Sequence, residues 1–469
     1  MVDADWEGLR LKRRYFAAGA AALVASTFSP RVRPALASPM IVVDQPVALI
    51  DAAVAIELRG FPARQPVTIT AIQTFPSMSR WQARATFMSD DDGCVHVARQ
   101  APVSGTYDGV SAMGLIWSAE RLPGESKTPP ADFVMQPWFV KLEATSPDGT
   151  RAELTLDRRV AGPGVTRHPI RMEGIVGTLF LPPGDGPHPA VIVLGGGGGG
   201  IDEYRGAILA SHGYAALNLG YFAMEGLPRG LVNIPLEYFE NAIRWMRAQP
   251  WVRDHFLAVW GESRGGELAL LLGATFAEIN AVIAWAPSGV VFWALGRAEP
   301  GDTRPRAAWT FRGKPLPYLQ ENNANIEALP VAEAGRPVAF ASFYLNQLRD
   351  ARAVERATIP VEKTKGPILL VSGTDDQMWP SSALADIAMR RLETHRHAYP
   401  FRHLKYEGAG HLILVPGGPR TVRAIGLQVQ GLSGYLFNQG GTPKADAEAG
   451  VDAWRSLLEF LEASVKGRK

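Results

Sequence analysis

The chain has 469 residues, 48 basic and 46 acidic, with 46% apolar and 20% charged side chains. At roughly 150 residues per domain this excludes a single small module, and the composition carries no signature of disorder. A net charge of +2 without a long Lys/Arg run excludes polyanion binding as the main role, so no nucleic-acid partner is expected. The one cysteine, Cys94, rules out an internal disulfide framework and a cysteine zinc site; within Asp-Gly-Cys-Val-His-Val it reads as a half-buried strand residue. No histidine pair has a metal-ligand spacing, and neither a metal nor a cofactor is expected.

Residues 1–37 read as an address label. Lys12-Arg13-Arg14 precedes a weakly apolar stretch from Phe16 to Phe28 that is too short to span a bilayer. Arg13-Arg14-Tyr15-Phe16 fits the core of a twin-arginine leader, and Ala35-Leu36-Ala37 offers the small-x-small pattern that signal peptidase cleaves. The expectation is cleavage after Ala37 and export to the periplasm, with no membrane span in the mature chain. The alternative is an amphipathic N-terminal helix of the mature fold.

From Ser38 to Ala161 the apolar residues alternate. The runs beginning at Ala53, Gln65, Trp81 and Trp138 have period two, and Asp91-Asp92-Gly93 and Pro147-Asp148-Gly149 supply turns. This predicts an immunoglobulin-like β-sandwich over residues 38–161. Residues 162–469 change rhythm. Short continuous apolar runs at Ala190, Ala215, Leu257, Ala281 and Ile368 read as strands buried on both faces. Helices are predicted over Glu203 to Ser211, Pro235 to Ala248, Arg264 to Ala274 and Ser382 to Glu393, with a closing amphipathic helix from Ala445. Strands alternating with helices predict an α/β domain, a mostly parallel sheet with helices on both faces. Residues 287–359 interrupt the alternation and read as a cap-like, substrate-facing insertion.

Trp260-Gly-Glu-Ser263-Arg-Gly-Gly266 lies between the Leu257 strand and the helix starting at Arg264. Glycines two before and two after a serine permit the sharp strand-to-helix turn that presents a nucleophile. A serine needs a base and an orienting acid, expected in the order Ser, Asp, His. Val371-Ser-Gly-Thr-Asp375-Asp376 follows the Ile368 strand, with Asp376 favoured over Asp375 as the acid, and Tyr406-Glu-Gly-Ala-Gly-His411 supplies the histidine. His212, His395, His397 and His403 read as surface positions. Backbone N–H groups for a developing oxyanion are expected from Arg264 and from Gly197 or Gly198 in the run Gly195 to Gly200.

In these residues the chain resembles the family of acyl-CoA thioesterases and bile acid-CoA:amino acid N-acyltransferases. The resemblance also rests on Ser104-Gly-Thr-Tyr-Asp-Gly-Val-Ser-Ala-Met-Gly-Leu-Ile-Trp117, on Glu203-Tyr-Arg205, on Ile359-Pro-Val-Glu-Lys and on Gly440-Gly-Thr-Pro near Trp454. It implies a C-terminal α/β-hydrolase domain behind the β-sandwich, with nucleophile Ser263, acid Asp376 and base His411. Serine rather than cysteine as nucleophile resembles the hydrolytic branch, with water as acceptor. The implied partner is a small-molecule acyl ester or thioester. Phe292, Trp293, Trp309, Phe311 and Tyr318 in the insertion are candidate acyl-pocket residues, or core. Arg304, Arg306, Arg312 and Lys314 are candidates for CoA phosphate contacts, or a solvated face. The expected function is an exported serine hydrolase working through an acyl-enzyme; the rivals are an acyltransferase to an amine or alcohol, and a binding protein with a vestigial triad.

Overall fold

Alternation along Pro66–Thr74 turns Val67, Ile69 and Ala71 to one side, where all three are fully buried. The structure is a computed structural model and describes residues 38–124, 128–172, 174–296, 306–320, 335–426 and 435–467. The expected leader, residues 1–37, and Arg304 lie outside the described residues. Met40–Val43, Ile56–Arg59 and Val95–His96 form one antiparallel sheet. A second sheet runs in the order Val47–Leu49, Arg151–Arg159, Trp138–Thr145, Pro66–Thr74, Arg80–Met88, Ser104–Gly105, with Glu120–Arg121 also pairing with Arg80–Met88. Ile56 and Leu58 of the first sheet share a core with Val67, Ile69, Leu142 and Leu156 of the second. Two sheets closing over one apolar layer make a β-sandwich.

The central sheet has the order Thr166–Met172, Ile175–Leu181, Ala215–Gly220, His188–Leu194, Val252–Glu262, Ala281–Trp285, Ile368–Gly373, Phe401–Tyr406. The first two strands join antiparallel and the rest pair parallel. Continuous apolar runs occur because both faces are covered. Ala190, Ile192 and Leu194 enter the core beneath helices Leu236–Arg247 and Arg264–Thr275, while Val191 and Val193 enter the opposite core beneath Glu203–Ser211 and Pro443–Lys466. Strand order reverses beside His188–Leu194, which lies between Ala215–Gly220 and Val252–Glu262. Such a reversal opens a crevice at the carboxyl ends of the strands, where ligands bind in open α/β sheets.

The sandwich docks on the face covered by the closing helix. Ile50, Trp138 and Val160 share a core with Ala207, Tyr214 and Trp454. At its centre the Asp51 carboxylate accepts from His212 Nε2 at 2.6 Å and from Trp454 Nε1 at 2.7 Å. Ser211 Oγ accepts from Gly162 N at 2.8 Å, and Trp117 O, at the end of the sandwich motif, accepts from Arg420 N at 2.8 Å. These bonds join Ser38–Lys469 into one compact unit.

One open alternative is decided, and two histidines are held by partners. Phe292 and Trp309 are fully buried, and Phe311 and Tyr318 pack against the main core, so of the two readings, pocket or core, these four take the second. His212, at a helix end and 28% exposed, also makes an interdomain contact with Asp51. His403 lies in strand Phe401–Tyr406 with its side chain only 4% exposed, bonded to Ser372 Oγ at 2.7 Å, and burial pushes its pKa down to about 4.

Burial alone would raise the Asp51 carboxyl, but the His212 bond and charge and the Trp454 bond hold it below the usual carboxylate range. Its stabilisation is therefore present above the ordinary value near 3.9 and lost as pH falls through its own lower value. Asp51→Ala is expected to cost about 2 kcal/mol, lowering Tm by several degrees at neutral pH. The gap between mutant and parent should narrow in acid, read by thermal denaturation across pH.

Candidate active site

The turn after Val252–Glu262 is tight enough to force Ser263 into the left-handed region, at φ 56°. Non-glycine residues rarely hold that conformation, and the strain persists only where the surroundings over-determine it. Here Ser263 N donates to Trp285 O at 2.8 Å. A Cβ on Gly261 would stand 1.9 Å from Gly265 O, and one on Gly265 would stand 2.3 Å from Gly195 O. Only glycines allow the elbow, the following helix and the glycine run to close on one another. Ser263 caps helix Arg264–Thr275, whose first N–H groups have no partner inside the helix.

In the glycine run, Gly199 N donates to Gly196 O at 3.3 Å and Gly200 N to Phe222 O at 3.2 Å. Among the described residues the N–H groups of Gly197 and Gly198 are bonded to no protein acceptor. The Arg264 side chain turns away from this loop: its Nη2 donates to Phe292 O at 3.1 Å and sits 3.2 Å from Glu267 Oε1. Glu267, fully buried and with its pKa raised by burial, accepts from Trp309 Nε1 and Phe292 N. The pair thus anchors the insertion to the helix that Ser263 caps.

Asp376 follows strand Ile368–Gly373 and is 4% exposed. Its Oδ1 accepts from Met378 N at 3.0 Å and Trp379 N at 3.2 Å, which fixes the carboxylate, and its Oδ2 accepts from His411 Nδ1 at 2.8 Å. Asp375 braces the loops instead, accepting from Gln377 Nε2 at 2.6 Å and Gly441 N at 2.9 Å. The His411 turn is held on both sides: His411 N donates to Gln439 O at 2.8 Å, and Gly410 N to Asp446 Oδ1 at 2.7 Å. Asp446 comes from the closing helix and pairs with Arg423 Nη1 at 2.6 Å. Burial disfavours the His411 cation, yet the charge and hydrogen bond of Asp376, with a smaller contribution from Glu262, raise its pKa above the usual histidine value.

Ser263, His411 and Gly195 to Gly199 line one cavity of about 420 Å³. Part of its wall is aromatic. Trp293 stacks on Tyr344 at 5.6 Å, and Phe340 packs against Phe437 at 5.1 Å and Tyr435 at 5.9 Å. Of the five aromatic residues expected at an acyl pocket, only Trp293 is in this wall. Arg306, Arg312 and Lys314 do not line it either. The missed residues lie on helix Ala341–Gln347 and strand Leu436–Asn438 or immediately before them. Their signal was present as Phe340-x-x-Phe343-Tyr344 at helical spacing and Tyr435-x-Phe437 at strand spacing. A polar part of the wall was also missed: Asp202, Arg205 and Glu262.

An eight-stranded, mostly parallel sheet with a serine elbow at the point where strand order reverses defines an α/β-hydrolase, here carrying an N-terminal β-sandwich. Residues 234–467 match the family model "BAAT / Acyl-CoA thioester hydrolase C terminal", and residues 51–172 match "Acyl-CoA thioester hydrolase/BAAT N-terminal region". Peroxisomal succinyl-coenzyme A thioesterase of Mus musculus is 31% identical over 422 residues, covering 88% of this chain and 93% of that protein. Acyl-coenzyme A thioesterase 1 of Homo sapiens is 32% identical over 424 residues, covering 89% and 95%. A puromycin-hydrolysing peptidase of Mycobacterium tuberculosis is a distant structural neighbour, with a TM-score of 0.41 at 14% identity, covering 88% of this chain and 68% of that one. The chain belongs to the acyl-CoA thioester hydrolase/BAAT family. It is an enzyme of the ester- and thioester-hydrolysing class.

The His411 imidazole is expected to titrate above about 6.5, followed by NMR of its ring protons. Asp376→Asn, which removes the charge but keeps the shape, should lower that titration, because the largest opposition to burial is then gone.

Proposed function

We propose that the protein is a serine thioesterase that cleaves acyl thioesters, and the corresponding esters, through an acyl-enzyme. What supports this reading above all is the buried hydrogen bond from His411 Nδ1 to Asp376 Oδ2, set behind the cavity that Ser263 and His411 line together. With Nδ1 held as a donor, Nε2 is the ring's basic nitrogen, as a general base requires. Ser263 attacks the carbonyl, His411 takes the hydroxyl proton and returns it to the leaving sulfur or oxygen, and Asp376 fixes the tautomer and stabilises the cation. The Arg264 N–H and that of Gly197 or Gly198 receive the oxyanion. Water, activated by His411, then releases the acid. The names of the relatives point to acyl-CoA as the thioester.

The part of the acyl chain that lies against the aromatic wall is apolar. Trp293, Phe340, Tyr344, Tyr435 and Phe437 offer no charge, and the guanidinium of Arg264 is committed to Phe292 O and Glu267. A second carboxylate at the far end of the acyl chain would be desolvated against these rings. Residues 1–37 serve as a twin-arginine leader that delivers the folded enzyme to the periplasm.

Octanoyl-CoA is expected to exceed succinyl-CoA in kcat/KM by at least about a hundredfold, measured by thiol release. Ser263→Ala should remove the acyl-enzyme burst and labelling by a fluorophosphonate, with kcat down by about 10³ or more and the thermal transition retained. Near-parental turnover in that variant would overturn the assignment. Activity should fall as pH drops through the raised His411 value, since the protonated ring is no base. Changing Arg13 and Arg14 together to lysine should leave uncleaved chain in the cytoplasm, read by cell fractionation.

A further inference from the structure

Beside Ser263 the cavity carries a charged pair with no part in the proton transfers just described. Glu262, the residue before the elbow, and Arg205, from helix Glu203–Ser211, both line it. Arg205 is held on three sides. Its Nε donates to Asp202 Oδ2 at 3.0 Å, its Nη2 donates to Leu194 O at 3.2 Å, and its guanidinium lies over the Trp260 ring at 5.1 Å. The remaining nitrogen, Nη1, is buried and makes no hydrogen bond. The nearest Glu262 oxygen is 3.6 Å away, too far for one, with side chains only 6% and 14% exposed. Among the described residues no hydrogen bond reaches the Glu262 carboxylate.

Two groups of opposite charge, both withdrawn from water, would ordinarily close to bonding distance. Here they stand 3.6 Å apart. Arg205 is fixed by its other three contacts, and the Glu262 backbone is fixed by the strained turn at Ser263. The result is a standing gap between a donor and an acceptor, in the wall of the cavity and one residue from the serine. Burial pushes the Glu262 carboxyl up, against the pull of Arg205 and His411, as expected of a group whose hydrogen-bonding capacity is unfilled.

We propose that Arg205 Nη1 and the Glu262 carboxylate form a subsite for one neutral substrate group that accepts from the first and donates to the second. A secondary amide or a hydroxyl does both. It would be carried within a few bonds of the reacting carbonyl, on the leaving thiol or on the acyl chain. The subsite rests on the thioesterase reading and adds to it a polar requirement that the aromatic wall cannot meet.

Two matched pairs of thioesters test it. Octanoyl S-(2-acetamidoethyl) against S-butyl thioester places an amide on the leaving group; 3-hydroxyoctanoyl against octanoyl, both as S-butyl thioesters, places a hydroxyl on the acyl chain. In the parent enzyme one polar member should exceed its apolar counterpart in kcat/KM by about tenfold or more, and which pair responds identifies the carrier. Glu262→Gln should shrink that ratio and Glu262→Leu should bring it near one; because each ratio is taken within one variant, a general loss of activity does not disturb it. Ratios near one in the parent for both pairs, or a ratio that Glu262→Leu leaves intact, would overturn the subsite. If no thioester shows Ser263-dependent turnover, the thioesterase reading fails separately. The subsite is then read by calorimetry with non-cleavable thioether analogues of the same pairs on Ser263→Ala, where equal affinity for polar and apolar members overturns it.

Discussion

Close backbone approach at the serine elbow is the constraint on which the rest of the site depends. The carbonyls of Gly265 and Gly195 lie where side chains on Gly261 and Gly265 would have to be. Three chain segments therefore meet with nothing between them: the end of the central strand, the first turn of its helix, and the entry to the glycine run. Everything else is arranged around that junction. The reversal of strand order brings the glycine run beside the elbow, and the Arg264–Glu267 pair draws the insertion onto the same helix. The elbow also fixes the backbone of Glu262, so one strained turn places both a hydroxyl and the carboxylate beside it.

The parts of this arrangement that are local in sequence were legible before any coordinates. The double-faced strands, the helices between them and the Gly-x-Ser-x-Gly turn are each encoded within about ten residues, and a periodicity reads them directly. Asp376 and His411 were legible because each follows a strand within a short glycine-containing loop. What was not legible depended on segments far apart in the chain. The aromatic wall is built from Phe340 to Tyr344 on one side and Tyr435 and Phe437 on the other, joined through the small sheet in which Pro337–Val338 pairs with Leu436–Asn438. Nothing near residue 340 indicates a partner near residue 437. Phe292 and Trp309, open between pocket and core from the sequence, are decided by a residue elsewhere: their polar anchor, Glu267, lies on another element.

The histidines illustrate the same limit. His212, His403 and His411 are all single histidines without a local motif of metal type. Their fates diverge because of what faces them: Asp51 across the interdomain seam, Ser372 across a strand pair, and Asp376 across two loops. Only His411 was marked by its neighbours, through the glycines that let its loop turn.

Helix Pro443–Lys466 joins two otherwise separate tasks. Through Asp446 it pins the turn that carries His411, and through Trp454 it clasps Asp51 at the sandwich, a contact separated by 403 residues. One element thus holds both the turn of the general base and the seam of the sandwich, so a disturbance of this helix loosens the two together and couples the docking of one domain to the chemistry of the other.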